Sequence, residues 1–266
     1  MPAEQSLRQG SLSEALRELQ GEVRRDPANP KHRIFLFQLL ALSGDWGRAL
    51  TQLNVLGDLD PKSLAMVQTY REALRCEALR AEVFAGKKSP VIFGDPPEWI
   101  AQLLEAAKLV AGGHHARSQQ LREKAFAAAQ ATPGTIDGQP FEWIADGDSR
   151  LGPVLEAVVN GRYYWIPIQN VREMRLDEPE DLRDLVWMPA YFTWANGGES
   201  PALIPTRYPG SESSEDDQIR MSRKTEWIEH EGEVVLGQGQ RMLITDAGEH
   251  PVMDLRSIQL GVAPQS

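Results

Sequence analysis

The chain has 266 residues, of which 38 are acidic and 28 basic, so its formal net charge at pH 7 is −10. This length is natural for two domains, and such an acidic surface disfavours binding to nucleic acid and to anionic lipid. The single cysteine, Cys76, excludes an internal disulfide. No signal-peptide pattern or membrane-spanning apolar run is present, so we expect a cytoplasmic protein with no membrane insertion.

Two segments of the first half repeat at an offset of 34 residues, a period typical of tetratricopeptide repeats. They are residues 10–27 and residues 44–61. The matching positions are a turn glycine, an alanine, two leucines, an aspartate and a proline, namely Gly10/Gly44, Ala15/Ala49, Leu16/Leu50, Leu19/Leu53, Asp26/Asp60 and Pro27/Pro61. A degenerate third copy is predicted at 64–86, since terminal repeats are usually atypical.

Two further helices are predicted before the composition changes. Asp95 and the two prolines after it suit the start of one helix, which Gly112-Gly113 ends. The next helix runs to the Pro133-Gly134 pair. Residues 1–131 are therefore predicted to form a tetratricopeptide-like, all-helical domain. Such arrays present grooves for peptides or helices, and the positions expected to line the concave, partner-binding face are Lys31, Ile34, Gln38, Gln68, Glu72 and Arg75.

Residues 132–266 are predicted to form a β-rich α+β domain, which makes the whole chain a multidomain α and α+β protein. Asn160-Gly161 predicts a type I′ hairpin in which Val158 faces Tyr163 and both faces are covered. A second hairpin is predicted to turn at residues 196–198. The other predicted elements are a strand at VREMRL, a short helix at EPEDLRDL, an acidic mobile loop at 211–218, and three strands in the tail.

Motifs for catalysis, metals and nucleotides are incomplete in this chain. A calcium loop starting at Asp146 would have Arg150 and then a leucine where Asp or Asn and then Gly are needed. A nucleophile elbow (G-x-S-x-G) needs a glycine two residues after the serine, but after Ser149 the next glycine is three residues away, at Gly152. Gly237 and Gly239 match the first two glycines of a G-x-G-x-x-G dinucleotide-binding loop, but the third glycine is missing. No zinc motif combines Cys76 with the histidines, and no cofactor is expected; the histidines are His32, His114, His115, His230 and His250.

An acidic cluster leaves an enzymatic alternative open. Glu142, Asp146 and Asp148, with Arg150 beside them, could serve as the carboxylates of a hydrolase. The competing interpretation is that the aspartates cap turns and pair with Arg150. Convergence of unpaired side chains in a pocket would favour the hydrolase, and mutual pairing would favour a structural role.

Several long blocks resemble the ImpE family, also called the TagJ or SciE-type family. They include RIFLFQLLALSGDWGRALTQL, FEWIADGDSRLGPVLEAVVNGRYYWIP and IPTRYPGSE, and the resemblance spans residues 6–228. It implies an accessory protein of bacterial type VI secretion with a helical cluster and an α+β part. The implied partners are the small subunit of the contractile sheath and the AAA+ ATPase ClpV, and no catalytic residues are implied. A subunit that only stabilises a fold is a third possibility.

Overall fold

The computed structural model describes residues 2–261, with helices concentrated in the first half of the chain and strands in the second. The α-helices are α1 (Pro2–Arg8), α2 (Leu12–Arg25), α3 (Pro30–Leu42), α4 (Trp46–Leu59), α5 (Leu64–Phe84), α6 (Ile100–Ala111), α7 (His115–Ala128) and α8 (Asp217–Arg220). Among the described residues, no helix is both long enough and apolar enough to cross a lipid bilayer.

The first four helices form two pairs whose turns carry equivalent glycines. Gly10 lies between α1 and α2, and Gly44 lies between α3 and α4; their φ values are 86° and 70°. Glycine adopts this left-handed conformation without the steric cost of a Cβ atom. The equivalent alanines, Ala15 and Ala49, are fully buried. The two helix pairs predicted from the 34-residue offset are therefore present.

The predicted third repeat is a single helix. α5 runs without interruption for 21 residues, whereas a repeat of this type requires a turn between two helices. The sequence of α5 contains neither glycine nor proline, so nothing in it breaks the helix.

The prediction that segment 1–131 is all-helical is wrong in one place. Val91–Ile92 forms a short strand, β1, which pairs in parallel with a strand of the second half. In addition, α6 begins at Ile100 rather than near Asp95. The Pro96-Pro97 pair explains the later start, because a proline disfavours the α conformation of the residue before it.

The second half contributes thirteen strands to the described structure. They are β2 (Gly134–Ile136), β3 (Gln139–Phe141), β4 (Ile144–Asp146), β5 (Val154–Val159), β6 (Arg162–Pro167), β7 (Val171–Leu176), β8 (Trp187–Trp194), β9 (Glu199–Pro205), β10 (Thr225–His230), β11 (Val234–Gly239), β12 (Met242–Thr245), β13 (Gly248–Pro251) and β14 (Ser257–Leu260). The main sheet has the order β1-β6-β5-β9-β8-β7-β14-β2-β3. A smaller sheet has the order β13-β12-β4, and β10 pairs with β11.

The predicted hairpins are confirmed. β5 and β6 pair with Val158 opposite Tyr163, as the turn residues required. Asn160 and Gly161 have φ values of 49° and 73°, the positive values of a type I′ turn. Every residue of β5 is buried, so the hairpin is covered on both faces. β8 and β9 form the second hairpin, with its turn before Glu199.

Three other predictions for the second half are wrong, and the first concerns the short helix at EPEDLRDL. Residue 181 is a bend and residues 182–186 form turns. The carboxylate of Asp184 accepts the backbone N–H groups of Glu180 and Asp181 at 2.8 and 3.0 Å, which competes with helical hydrogen bonding. The tail forms five strands, β10 to β14, where three were predicted.

The acidic segment 211–218, predicted to be a mobile loop, is structured. It contains a 3₁₀ turn and the start of α8. The hydroxyl of Ser211 is buried and accepts the N–H of Gly239 at 2.8 Å. The carboxylate of Asp217 accepts the N–H of Leu12, the first residue of α2, at 2.8 Å. The segment therefore connects the second half of the chain to the helices.

The two halves share a continuous packed boundary. The ring of Trp187, at the start of β8, lies 6.0 Å from that of Trp46 and 5.6 Å from that of Tyr70. The guanidinium of Arg207 donates to the carbonyls of Ala41 and Leu42 at 2.9 and 2.8 Å. These carbonyls belong to the last turn of α3, where a cation is favourable.

Candidate functional site

Glu156 lies at the centre of a buried charge network that joins α5 to the sheets. Arg80 donates to its two carboxylate oxygens at 2.7 and 3.1 Å, and the hydroxyl of Tyr163 donates at 2.5 Å. Arg241 donates to the same carboxylate. Burial acts to raise the pKa of Glu156, but Arg80 and Arg241 outweigh burial and lower it to about 2. The carboxylate is therefore held ionised by its partners.

Asp146 and Asp148 are each bonded to an arginine. Arg241 donates to Asp146, and burial raises the pKa of that carboxyl to about 6 although Arg241 acts in the opposite direction. Arg150 donates two side-chain N–H groups to the carboxylate of Asp148, at 2.8 and 2.5 Å. Asp148 also accepts the backbone N–H of Gly237 at 2.9 Å. Both aspartates thus have the bonded role that the structural interpretation predicted.

The carboxylates of the hydrolase alternative do not converge as free groups. Glu142 is exposed, whereas Asp146 and Asp148 are almost completely buried and occupied by Arg241 and Arg150. Asp146 also accepts the N–H of Asp148 at 2.8 Å, which confirms the predicted turn capping. This arrangement of paired groups supports the structural interpretation of the cluster.

The histidines and the cysteine do not assemble a metal site in the described part of the chain. Within residues 2–261, no three His, Cys, Asp or Glu side chains lie close enough to hold an ion. The rings of His115 and His230 stack with their centroids 4.5 Å apart. Cys76 is buried, and burial, with Glu77 and Glu72 nearby, raises the pKa of its thiol to about 12. Cys76 is therefore a thiol rather than a reactive thiolate.

Three of the six residues predicted to bind a partner line one cavity, which we call the α3 groove. Lys31, Ile34 and Gln38 lie on α3, and the cavity of about 750 Å³ is bounded by α1 and residues 179–185. Lys31 is exposed and Gln38 is buried. The remaining lining combines apolar side chains (Leu7, Phe35, Pro179, Leu182, Leu185) with charged ones (Glu4, Arg8, Glu180, Asp181, Arg223).

The other three predicted residues lie on α5, away from the α3 groove. The side-chain amide of Gln68 donates to Glu72 at 2.6 Å, and Arg75 is exposed. Glu72 lines a separate cavity of about 290 Å³ beside β8 and β9. The structure therefore does not bring the six residues together. Trp187, packed on Tyr70, covers part of the helical face that the sequence alone leaves open.

A third cavity, of about 400 Å³, is lined in part by Asp146, Asp148 and Ser149, which the motif analysis singled out, and otherwise by residues that it did not; we call it the Phe126 pocket. One wall is the end of α7 with residues 129–132, and the other is β4 with the turn that follows it. Phe126 and Trp143 contribute large apolar side chains that are 37% and 40% exposed. Gly152, with a φ of 54°, lies so close under the ring of Phe126 that a Cβ atom would overlap it. The sequence signal was an aromatic residue in an otherwise alanine-rich helix end.

Comparison with known proteins agrees with the resemblance found in the sequence. The model of the ImpE protein family matches residues 138–259. The chain is 55% identical over 258 residues to the type VI secretion system accessory component TagJ of Pseudomonas aeruginosa, covering 97% of this chain and 90% of that protein. A crystal structure of a Vibrio parahaemolyticus protein matches with a TM-score of 0.88 at 23% identity, over 99% of each chain.

The similarity to the Vibrio parahaemolyticus protein concerns the fold alone: a helical first half packed against a sheet-rich second half. The 55% identity to TagJ over nearly the whole length also establishes the family of this chain. The chain belongs to the ImpE (TagJ) family, which confirms the family predicted from the sequence blocks.

Proposed function

We propose that this chain is a cytoplasmic, non-enzymatic accessory protein of bacterial type VI secretion, acting as an adaptor that works without a cofactor. The observation that carries the proposal is the 55% identity to the accessory component TagJ over 97% of the chain. The proposed partners are the small subunit of the contractile sheath, the ATPase ClpV, or both. The pairing of Asp146 and Asp148 with arginines supports the non-enzymatic part of the proposal.

The α3 groove is the proposed site for a helix of one partner. Its floor is apolar, with Ile34 between α1 and residues 179–185, and Lys31 is exposed at its rim. An amphipathic helix would bury its apolar face there and keep its polar face in water. The repeated turns at Gly10 and Gly44 support a tetratricopeptide-like array, a fold that presents such grooves.

The test is a pull-down of purified sheath small subunit and of ClpV from the same bacterium. One variant alters the α3 groove, with Lys31→Glu and Ile34→Ala. A second alters α5, with Gln68→Ala, Glu72→Ala and Arg75→Ala. The control is Lys62→Glu, an exposed residue between α4 and α5, which reproduces the charge change of Lys31→Glu elsewhere on the helices.

We expect the wild type and the control to capture a partner and the α3 variant to lose capture at least about tenfold, as for truncated interface anchors. Loss only in the α5 variant would move the site to the smaller cavity at Glu72. Capture by all forms would retain the adaptor role and remove both surfaces from it. Failure of the wild type to capture either protein would overturn the adaptor proposal.

A further inference from the structure

The Phe126 pocket brings together two large, partly exposed apolar side chains. Phe126 reaches it from α7, and Trp143 reaches it from the residue before β4. A volume of about 400 Å³ lies within the range of cavities that take one or a few ligand groups. An aromatic or branched aliphatic side chain fits a cavity with these walls.

The backbone on both sides of the pocket has unused hydrogen-bonding groups. β4 is an edge strand of its sheet. The N–H of Gly147 points to β12 and that of Asp146 points away from it, to Gly152. By the alternation of an antiparallel pair, the N–H and C=O of Ile144 point to the same outer edge as Asp146. On the opposite wall, the N–H groups of residues 130–132 have no hydrogen-bond partner within residues 2–261.

Among the described residues, the pocket offers a ligand no charge that is not already paired. Asp146 and Asp148 are the charged residues that line it, and Arg241 and Arg150 neutralise them. A charged ligand group would be desolvated there without a partner, which is costly. The occupant therefore has an uncharged side chain in the cavity and backbone groups at its edges.

We propose that the Phe126 pocket binds an extended, uncharged peptide segment of a partner protein. The segment pairs in extended conformation with the N–H and C=O of Ile144 on the outer edge of β4, beside the point where Asp146 already donates to Gly152, and its peptide groups also reach the N–H groups of residues 130–132. One of its apolar side chains lies between Phe126 and Trp143. Strand addition supplies affinity through the main chain, and the pocket supplies specificity through that side chain. This inference does not depend on the α3 groove or on the secretion partners.

The test begins by panning a phage-displayed library of random peptides, about 12 residues long, on the full chain. Binding of the enriched peptides is then measured by fluorescence polarisation. We expect an uncharged aromatic or branched aliphatic residue at one shared position, and affinity at least tenfold weaker for the Trp143→Ser variant, a difference of about 1.4 kcal/mol. Tyr191→Ser is the control, because Tyr191 is also exposed, at 51%, but lies on β8.

A second measurement distinguishes strand addition from the burial of a side chain alone and requires no protein variant. The same peptide is made with N-methyl groups on alternate residues, in both registers, which removes half of its N–H donors each time. At least one register should bind tenfold more weakly. Peptide binding that survives both registers, binding unaffected by Trp143→Ser, or no enriched peptide at all would overturn the proposal. None of these results would change the interpretation of the pull-down with sheath subunit and ClpV, which tests the adaptor proposal separately.

Discussion

Glu156 receives hydrogen bonds from three separate parts of the chain: Arg80 on α5, Tyr163 on β6 and Arg241 before β12. Its side chain is completely buried. Removing a partner from such a group is far more damaging than the net contribution of the pair suggests, because the remaining charges stay buried without compensation. The chain therefore depends on this carboxylate for its internal charge balance.

We expect Glu156→Gln to lower the free energy of unfolding by about 3–5 kcal/mol at neutral pH. The native pKa of about 2 lies below the ordinary value of 4.5. Stability from Glu156 is therefore fully present above pH 4.5 and is lost as the pH falls towards 2. The variant should accordingly show a weaker pH dependence of stability in that range than the wild type.

Urea unfolding followed by tryptophan fluorescence at several pH values measures both effects. Glu142→Gln is the matched control. Glu142 is exposed, so this substitution should leave the dependence of stability on pH unchanged. A Glu156→Gln protein as stable as the wild type would contradict the assignment of this carboxylate as the centre of the network.

Arg207 is a buried cation whose hydrogen bonds go to backbone carbonyls of Ala41, Leu42 and Arg220. Burial lowers the pKa of its guanidinium to about 10, with Glu212 acting in the opposite direction. A lysine cannot reproduce the planar, multidentate contact. We expect Arg207→Lys to cost about 2 kcal/mol of unfolding free energy, and the exposed substitution Arg162→Lys to cost nothing measurable in the same urea titration.

At the scale of the elements, the turn of the β10–β11 hairpin lies against the first turn of α7. A Cβ atom on Gly232 would come within 2.9 Å of the Cα of Ala116 and 3.0 Å of the carbonyl oxygen of His115. Arg122, also on α7, donates to the carbonyls of Gly232 and Glu233 at 3.1 and 2.8 Å. The hairpin is therefore docked on the helix through backbone contacts that leave no room for a side chain.

A pair of glycine variants isolates this docking contact. Gly232 and Gly197 both have positive φ, 75° and 84°, but a Cβ on Gly197 would meet nothing within 4 Å. Gly197→Ala should cost about 1 kcal/mol from backbone strain alone. Gly232→Ala should cost about 1–3 kcal/mol more, because packed backbone must move. Urea unfolding gives the totals, and equal values for the two variants would show that the hairpin is not docked as described.

The elements that the sequence predicted correctly are those with local causes. The type I′ turn at Asn160-Gly161 and the glycines of the two helix pairs need only their own φ values. The missed elements have distant causes. Segment 211–218 is ordered by Leu12 and Gly239, and β1 forms because a strand 73 residues later is available to it. A short-range sequence pattern does not indicate contacts with residues so far along the chain.

At the scale of the whole molecule, the change of composition near residue 132 marks a change of secondary structure between two halves that are packed together. Arg80 and Glu156 pair across the halves, and Trp187 donates to Glu77 of α5 at 2.9 Å. A binding face inferred from the helices alone leaves out this contact with the second half, and the partner-binding role of the six residues stays a prediction. The sequence predicts one concave surface for the six residues, whereas Lys31, Ile34 and Gln38 line one cavity and Glu72 lines another.

We therefore expect the full chain to unfold in one transition, with far-ultraviolet circular dichroism and tryptophan fluorescence changing together. Trp187→Ala should lower the free energy of unfolding by about 3–5 kcal/mol in both signals, because Trp187 packs on Trp46 of α4 and Tyr70 of α5. A fragment of residues 1–131 lacks Trp187 and Glu156, so it should show no cooperative unfolding. A fragment with a sharp transition of its own, or a variant whose helical signal is unaffected, would mean that the helices form an independent domain on which the sheet merely rests.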